Sequence, residues 1–115
     1  QEMIEKAYAL ALKKLCSMPD DQYIEVLKEL ILKASVSGRE EVIFSPEVRE
    51  NIGKTAVEQV NQSSGKNFTL SDETRPIPGG FILKDGNIEV NCAFDTLVRL
   101  EKAETAGTVA KKLFG

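Results

Sequence analysis

At 115 residues, 42% of them hydrophobic, the chain has material for one buried core and little for a second, and its composition is not that of a disordered polypeptide. The 15 Lys and Arg stand against 18 Asp and Glu, a formal charge of -3 without a basic block, which argues against nucleic acid as a partner. No stretch approaches the run of about 20 apolar residues that a membrane helix requires, so direct membrane insertion is not expected.

Residues 2–17 read as a helix, with Ile4, Ala7, Tyr8, Ala11 and Leu15 on one face and Leu10 and Leu12 widening it. Pro19-Asp20-Asp21 breaks the pattern and opens a second helix, whose inner stripe is Ile24, Leu27, Leu30, Ile31 and Ala34. After a loop from Ser35 to Arg39, Glu41 to Phe44 is a strand candidate. Its contiguous Val42-Ile43-Phe44 suits a strand buried on both faces or one under a helix layer.

Ser45-Pro46-Glu47 then supplies a capping hydroxyl, a proline for the first helical position and an acid for the positive end of the helix. Val48, Ile52, Ala56, Gln59 and Val60 form the inner face, and Ser63-Ser64-Gly65 ends the helix. Lys66 to Ser71 predicts a strand with Phe68 and Leu70 on one side, and the polar Ser71 to Arg75 predicts a loop.

From Pro76 to Phe94 the local chemistry is least ambiguous. Pro76 and Pro78 stiffen an approach to Gly79-Gly80, after which Phe81-Ile82-Leu83 and the alternating Ile88-Glu89-Val90-Asn91 flank Asp85-Gly86. That is a hairpin, with a type I′ turn expected at Asp85-Gly86 and an apolar face at Ile88 and Val90 that must be covered. Asn91 or Asp95 caps a final helix carrying Phe94, Leu97 and Val98, then Val109, Ala110 and Leu113, with a break expected at Ala106-Gly107-Thr108. The order implies an α+β fold, a small mainly antiparallel sheet with helices packed on it.

Catalytic motifs are poorly represented. Gly53-Lys54-Thr55 copies the end of a phosphate-binding loop, but Val48 occupies the position of its first glycine and the tripeptide falls inside a predicted helix. Cys16 and Cys92 are expected as reduced, buried thiols in the cytosol, and the chain has no histidine to activate a thiol or hold zinc. The carboxylate pairs Glu40 with Glu41, Asp72 with Glu73, and Glu101 with Glu104 read as solvated surface, and Tyr8 and Tyr23 as core-edge residues whose hydroxyls reach water. No cofactor and no metal are expected.

The ordered string Gly79, Gly80, Phe81, Ile82, Leu83, Asp85, Gly86, Ile88, Glu89, Val90, Asn91 and Phe94 resembles the segment before the last helix in the E subunit of the prokaryotic V-type and A-type rotary ATPases. The ending Val109-Ala110-Lys111-Lys112-Leu113-Phe114-Gly115 is similar to that family's C-terminus. The resemblance implies a non-catalytic component of the peripheral stalk: residues 1–17 the end of a long N-terminal helix, and residues 18–115 a globular head. It implies two partners, the smaller stalk protein as a coiled-coil mate and the B subunit of the catalytic hexamer. It also implies a place at the cytoplasmic face of the membrane. Most of the family's N-terminal helix is missing here, so Leu10 and Leu12 become candidates for bared interface that drives self-association, and Arg75 for a partner contact. The alternative, from a different class, is a small cytosolic enzyme or ligand-binding domain that uses the Gly79-Gly80 hairpin and Cys92.

Overall fold

The computed structural model describes residues 2–101, so the helix break expected at Ala106-Gly107-Thr108 and the apolar positions Val109, Ala110 and Leu113 lie outside the described residues. Helix α1, Glu2–Cys16, stops as the Ser17 amide closes back on the Lys13 carbonyl at 3.1 Å, and Pro19 then prevents its continuation. Helix α2, Asp20–Ala34, starts immediately with two acids in its first turn, where the helix dipole favours them. Tyr23, Leu27 and Ile31 recur every four residues and are its buried line, while Ile24, Leu30 and Ala34 are half-buried at its sides.

The turn after α2 is organised by Glu40, which the sequence marked as solvated surface. It is buried. Its carboxylate accepts the amides of Val36 at 2.7 Å and Gly38 at 3.0 Å and the hydroxyl of Ser35 at 2.8 Å. Burial opposes the charge, yet this ring of donors outweighs it and holds the carboxyl at about 2.

Strand β1, Glu41–Phe44, is central in a four-stranded sheet of order β2-β1-β3-β4. Val42, Ile43 and Phe44 are fully buried, as their contiguous run predicts. The chain leaves β1 through Ser45, whose hydroxyl accepts the Val48 amide, into helix α3, Pro46–Val48. It continues through a π-helical turn, Arg49–Gly53, into helix α4, Lys54–Ser64, which ends at Gly65. The wide turn adds one residue to the rod, so that the adjacent Ile52 and Gly53 are both buried. A Cβ on Gly53 would stand 3.0 Å from the Phe44 ring, so the glycine serves close contact between helix and sheet.

Strand β2, Thr69–Thr74, runs parallel to β1 and includes Ser71 to Thr74, which sequence alone reads as a loop. β3, Gly80–Asp85, and β4, Ile88–Ala93, add two antiparallel pairings, so the sheet is mixed but mainly antiparallel. The hairpin turn sits one residue later than expected: Asp85 pairs with Ile88, the two-residue loop is Gly86-Asn87, and only Gly86 has positive φ, at 61°. A positive φ at the first loop residue alone makes the turn type II′.

Side chains alternate across the strands, so the sheet has two unlike faces. Val42, Phe44, Phe81, Leu83 and Cys92 join Leu27, Ile31 and Val60 in the core beneath the helices. Ile43 and Ile82, paired across β1 and β3, are buried outside that cluster and so lie on the second face. Residues 94–101, helix α5, follow β4 directly.

The join between these parts is Gly79-Gly80. The Gly80 amide donates to the Tyr23 hydroxyl at 3.0 Å, and the Gly79 carbonyl accepts the Phe94 amide at 3.0 Å. Tyr23 is therefore buried and its hydroxyl engaged within the protein, where an exit to water was expected.

Two substitutions test this account. Glu40→Gln is expected to lose about 3 kcal/mol at neutral pH, the value of a carboxyl moved from its ordinary 4.5 to about 2. Because the folded value is the lower one, this contribution is complete above 4.5 and fades as pH falls through 2, so urea melts of the two proteins should converge in acid. Gly80→Ala is expected to cost about 2 kcal/mol or more, because φ is 83° and the new Cβ would lie 2.5 Å from the Cys92 carbonyl; thermal melts check it.

Candidate partner-binding surfaces

Among the described residues, helix α1 meets the core through its C-terminal half. Leu12, Leu15 and Cys16 pack against the core cluster, so Leu12, a candidate for bared interface, is half-buried against the protein's own interior. Leu10 is 53% exposed, and Met3, seven residues earlier and thus on the same line of the helix, is also exposed.

Tyr8, Ala11 and Leu15 form another line, facing Leu30 of α2 and Leu97, Val98 and Leu100 of α5 across an open groove of about 500 Å³. Among the described residues Glu101 is the one charged residue lining it, and Leu100 is among the large apolar side chains left exposed. The lining is thus an apolar channel between helices, the shape that accepts another amphipathic helix. Leu97 and Val98 were legible as apolar positions of the last helix. The groove itself was not, because three helices far apart in sequence build it.

Arg75 lies elsewhere, on the second face of the sheet. Its guanidinium grips Glu89 of β4 through two bonds of 3.2 and 2.9 Å and also donates to Glu73 of β2, which Lys84 of β3 approaches to 3.6 Å. The bonds from Glu89 and Glu73 raise the arginine pKa, and the Arg75 bond holds both carboxyls below the usual range. The network ties three strands across Ile43 and Ile82. Arg75 is therefore committed to its own sheet, and the fold does not bring it together with Leu10.

The space around Gly79 and Gly80 is filled. A Cβ on Gly79 would meet the Tyr23 hydroxyl at 2.7 Å and the Phe94 ring at 2.9 Å, so the paired glycines admit protein atoms where a ligand pocket was the alternative. Cys92 is buried, and burial pushes its thiol up, away from the thiolate that a nucleophile needs. Cys16 is half-buried with its thiol likewise raised, first by burial and then by the charge of Asp95. The enzyme alternative loses both of its named features.

Comparison with known proteins resolves the family. Residues 1–114 match the family described as ATP synthase (E/31 kDa) subunit. The chain belongs to it. It is 39% identical over 107 residues to the E subunit of the V-type ATP synthase of Acetivibrio thermocellus, covering 88% of this chain and 54% of that protein. It is 37% identical over 119 residues to the E subunit of the V-type proton ATPase of Thermoanaerobacter pseudethanolicus, covering 99% of this chain and 60% of the relative. With the E subunit of the V-type proton ATPase of Clostridium botulinum, strain Eklund 17B, the identity is 34% over 116 residues, covering 99% of this chain and 59% of that one. This member of the family thus spans between half and two thirds of the length of those curated relatives. Among its described residues, no helix is long and apolar enough to cross a membrane.

The state of Cys92 is open to direct measurement. Alkylation by a small thiol reagent is expected to proceed at the rate of protein unfolding and to accelerate with denaturant. Rapid modification of the folded protein, followed by mass spectrometry of the labelled peptide, would restore the enzyme reading.

Proposed function

We propose that this chain is part of the stator of a prokaryotic V-type or A-type rotary ATPase: the head of its E subunit, residues 18–115, with residues 1–17 as the end of the stalk helix. In this role it makes and breaks no bonds. It links the catalytic hexamer to the membrane part at the cytoplasmic face and resists the torque of the central rotor, so that ATP synthesis or hydrolysis remains coupled to proton or sodium transport. The apolar surface of α1 that other described residues leave open, with the exposed Leu10 on one line and the groove lined by Tyr8, Ala11 and Leu15 on the next, carries this reading.

Such a surface is a liability in a free domain and an asset in a bundle. Its apolar lines follow helical spacing, so a partner lying along α1 buries them by side-chain interdigitation as in a coiled coil. The smaller stalk protein is the proposed occupant there, and the B subunit of the hexamer the proposed neighbour of the head. Family membership supports both partners, and a head whose one thiol, Cys92, is buried and whose Gly79-Gly80 corner is filled suits a part that transmits force.

The reading is tested by titrating the chain with the smaller stalk protein and with the B subunit in separate calorimetric experiments. Leu10→Glu is expected to weaken binding of the stalk protein at least about tenfold, roughly 1.4 kcal/mol, while leaving the melting temperature within a few degrees. A chain that binds neither partner, or a Leu10→Glu variant that binds the stalk protein as the parent does, removes the support for this arrangement.

A further inference from the structure

The large apolar side chains left exposed among the described residues fall into two sets. Met3 and Leu10 stand on α1, and Leu100 lines the groove beside it. Leu32, Val36 and Ile88 lie at the end of the sheet away from the Gly79-Gly80 corner. Leu32 is in the last turn of α2, whose first turn brings Tyr23 to that corner, and Ile88 opens β4, whose last residue, Ala93, pairs with Gly80. Val36 belongs to the turn that leads into β1, whose first residue, Glu41, pairs with Lys84 near the end of β3.

That turn is held against two unfavourable effects. A carboxylate just past the C-terminus of a helix opposes the helix dipole, and a buried one also loses its hydration. Glu40 is in both situations, being buried and bonded to Ser35 and Val36 directly after α2. Its donors are the Ser35 hydroxyl at 2.8 Å and the amides of Val36, Ser37 and Gly38 at 2.7, 3.3 and 3.0 Å. All four belong to the turn itself, so what the charge fixes is the turn. Gly38 has a φ of 75°, its carbonyl accepts the Asn67 amide at 2.9 Å, and the Lys66 stem lies over it. The turn is thus tied to the connection between α4 and β2 as well. Yet Val36, at its tip, is 91% exposed, so this rigidity serves no packing of the valine within its own fold.

A single apolar residue on a surface needs no explanation. One held rigidly in water, its backbone entropy already lost on folding, has the form of an interface anchor. Arg39 and Lys66 stand beside it in the turn and in the connection tied to it. Both are exposed, and among the described residues neither makes an ion pair. The acid of the turn is occupied by amides, so the rim around Val36 is positive. We propose that the turn at residues 35–40 is a preformed recognition loop: Val36 enters an apolar socket bordered by carboxylates on a partner protein, Arg39 and Lys66 meet those carboxylates, and Glu40 is the positioning residue that holds the anchor. The identity of the partner rests on the stator reading. The two apolar sets then have separate occupants, the smaller stalk protein at α1 and the B subunit at the turn.

Titration of the chain with the B subunit and, separately, with the smaller stalk protein tests the loop, with a thermal melt of each variant. Val36→Asp is expected to weaken binding of the B subunit at least about tenfold, while melting with the parent and binding the stalk protein as the parent does. Glu40→Gln keeps Val36 but frees the turn. It is expected to weaken binding of the B subunit at least about fivefold and leave the stalk protein's unchanged, an asymmetry that general destabilisation does not produce. Should it unfold the chain, Val36→Asp, at an exposed side chain, decides alone. Arg39→Glu is expected to slow association with the B subunit and to flatten its dependence on salt; association at the parent's rate overturns the charged rim. A parent that binds the B subunit and a Val36→Asp variant that binds it equally well overturn the loop and leave the stator reading standing. A Val36→Asp variant that melts well below the parent overturns it too, by making Val36 a structural residue. A parent that does not bind the B subunit removes both readings.

Discussion

Tyr23 reaches from α2 to the Gly80 amide, Gly79 turns its carbonyl to the Phe94 amide, and the two aromatic rings meet with centroids 5.4 Å apart. This corner joins the second helix, the start of β3 and the start of α5, and the Cys16 sulfur at the end of α1 lies against it. A ring contact of this kind contributes about 1 kcal/mol beyond its buried area, and a buried amide left without its acceptor costs about 1–3 kcal/mol. The hydroxyl of Tyr23 thus stabilises more through the backbone it satisfies than through its own solvation. A side chain at position 79 would press on Tyr23, Phe94 and Cys16, and one at position 80 on the backbone of β4, which is why two adjacent glycines precede so apolar a strand.

A comparable constraint governs the second face. With Ile43 and Ile82 buried there outside the main core, Arg75 spans the sheet from the end of β2 to β4 and is matched by Glu73 and Glu89. Each exposed ion pair by itself contributes little, since water and salt screen it. Sharing one guanidinium among carboxylates from two strands adds what single pairs lack, a fixed geometry that ties together strands that are not neighbours. Glu40 has the corresponding role at the end of α2, but inside the protein, where the donors that surround it are shielded from competition with water.

Much of this architecture was legible from residues whose signals are local. The contiguous Val42-Ile43-Phe44, the Ser45-Pro46 helix start and the Gly65 stop depend on neighbours in sequence, and the structure has each of them. The strand expected over Lys66 to Ser71 runs from Thr69 to Thr74, and its second half escaped because those residues are mostly polar and exposed, as suits an edge strand: its place is set by backbone bonds to β1 and by Asn61 and Arg49, which no hydrophobic period records. The hairpin was visible but its turn was misplaced by one residue, since Asp85-Gly86 and Gly86-Asn87 both satisfy the composition of a tight turn and the register of β3 on β4 decides between them. Glu40 and Tyr23 misled for a related reason. A polar group reads as solvent-facing until the amides that surround it are known, and those come from the turn in one case and from a glycine 57 residues away in the other. The apolar groove is less legible still, being a property of three helices at once.

In the proposed role, load entering along α1 has a short path into the sheet. Leu12 and Leu15 press on the core, Cys16 abuts the Gly79 corner, and only the residues between Cys16 and Asp20 intervene before α2 begins. Pro19 stiffens that link, and Tyr23 one turn later carries it to β3. A stalk joined to its head through a flexible linker would absorb rotation as bending, whereas a join made of helix end, proline and a hydrogen-bonded corner passes it on. The π-helical turn works to the same end by seating Ile52 and Gly53 together against the sheet, so that α4 is held from beneath as well as by its ends. Stiffness in this domain is therefore concentrated where the sequence places the Gly79-Gly80 pair, Pro19 and the buried polar groups.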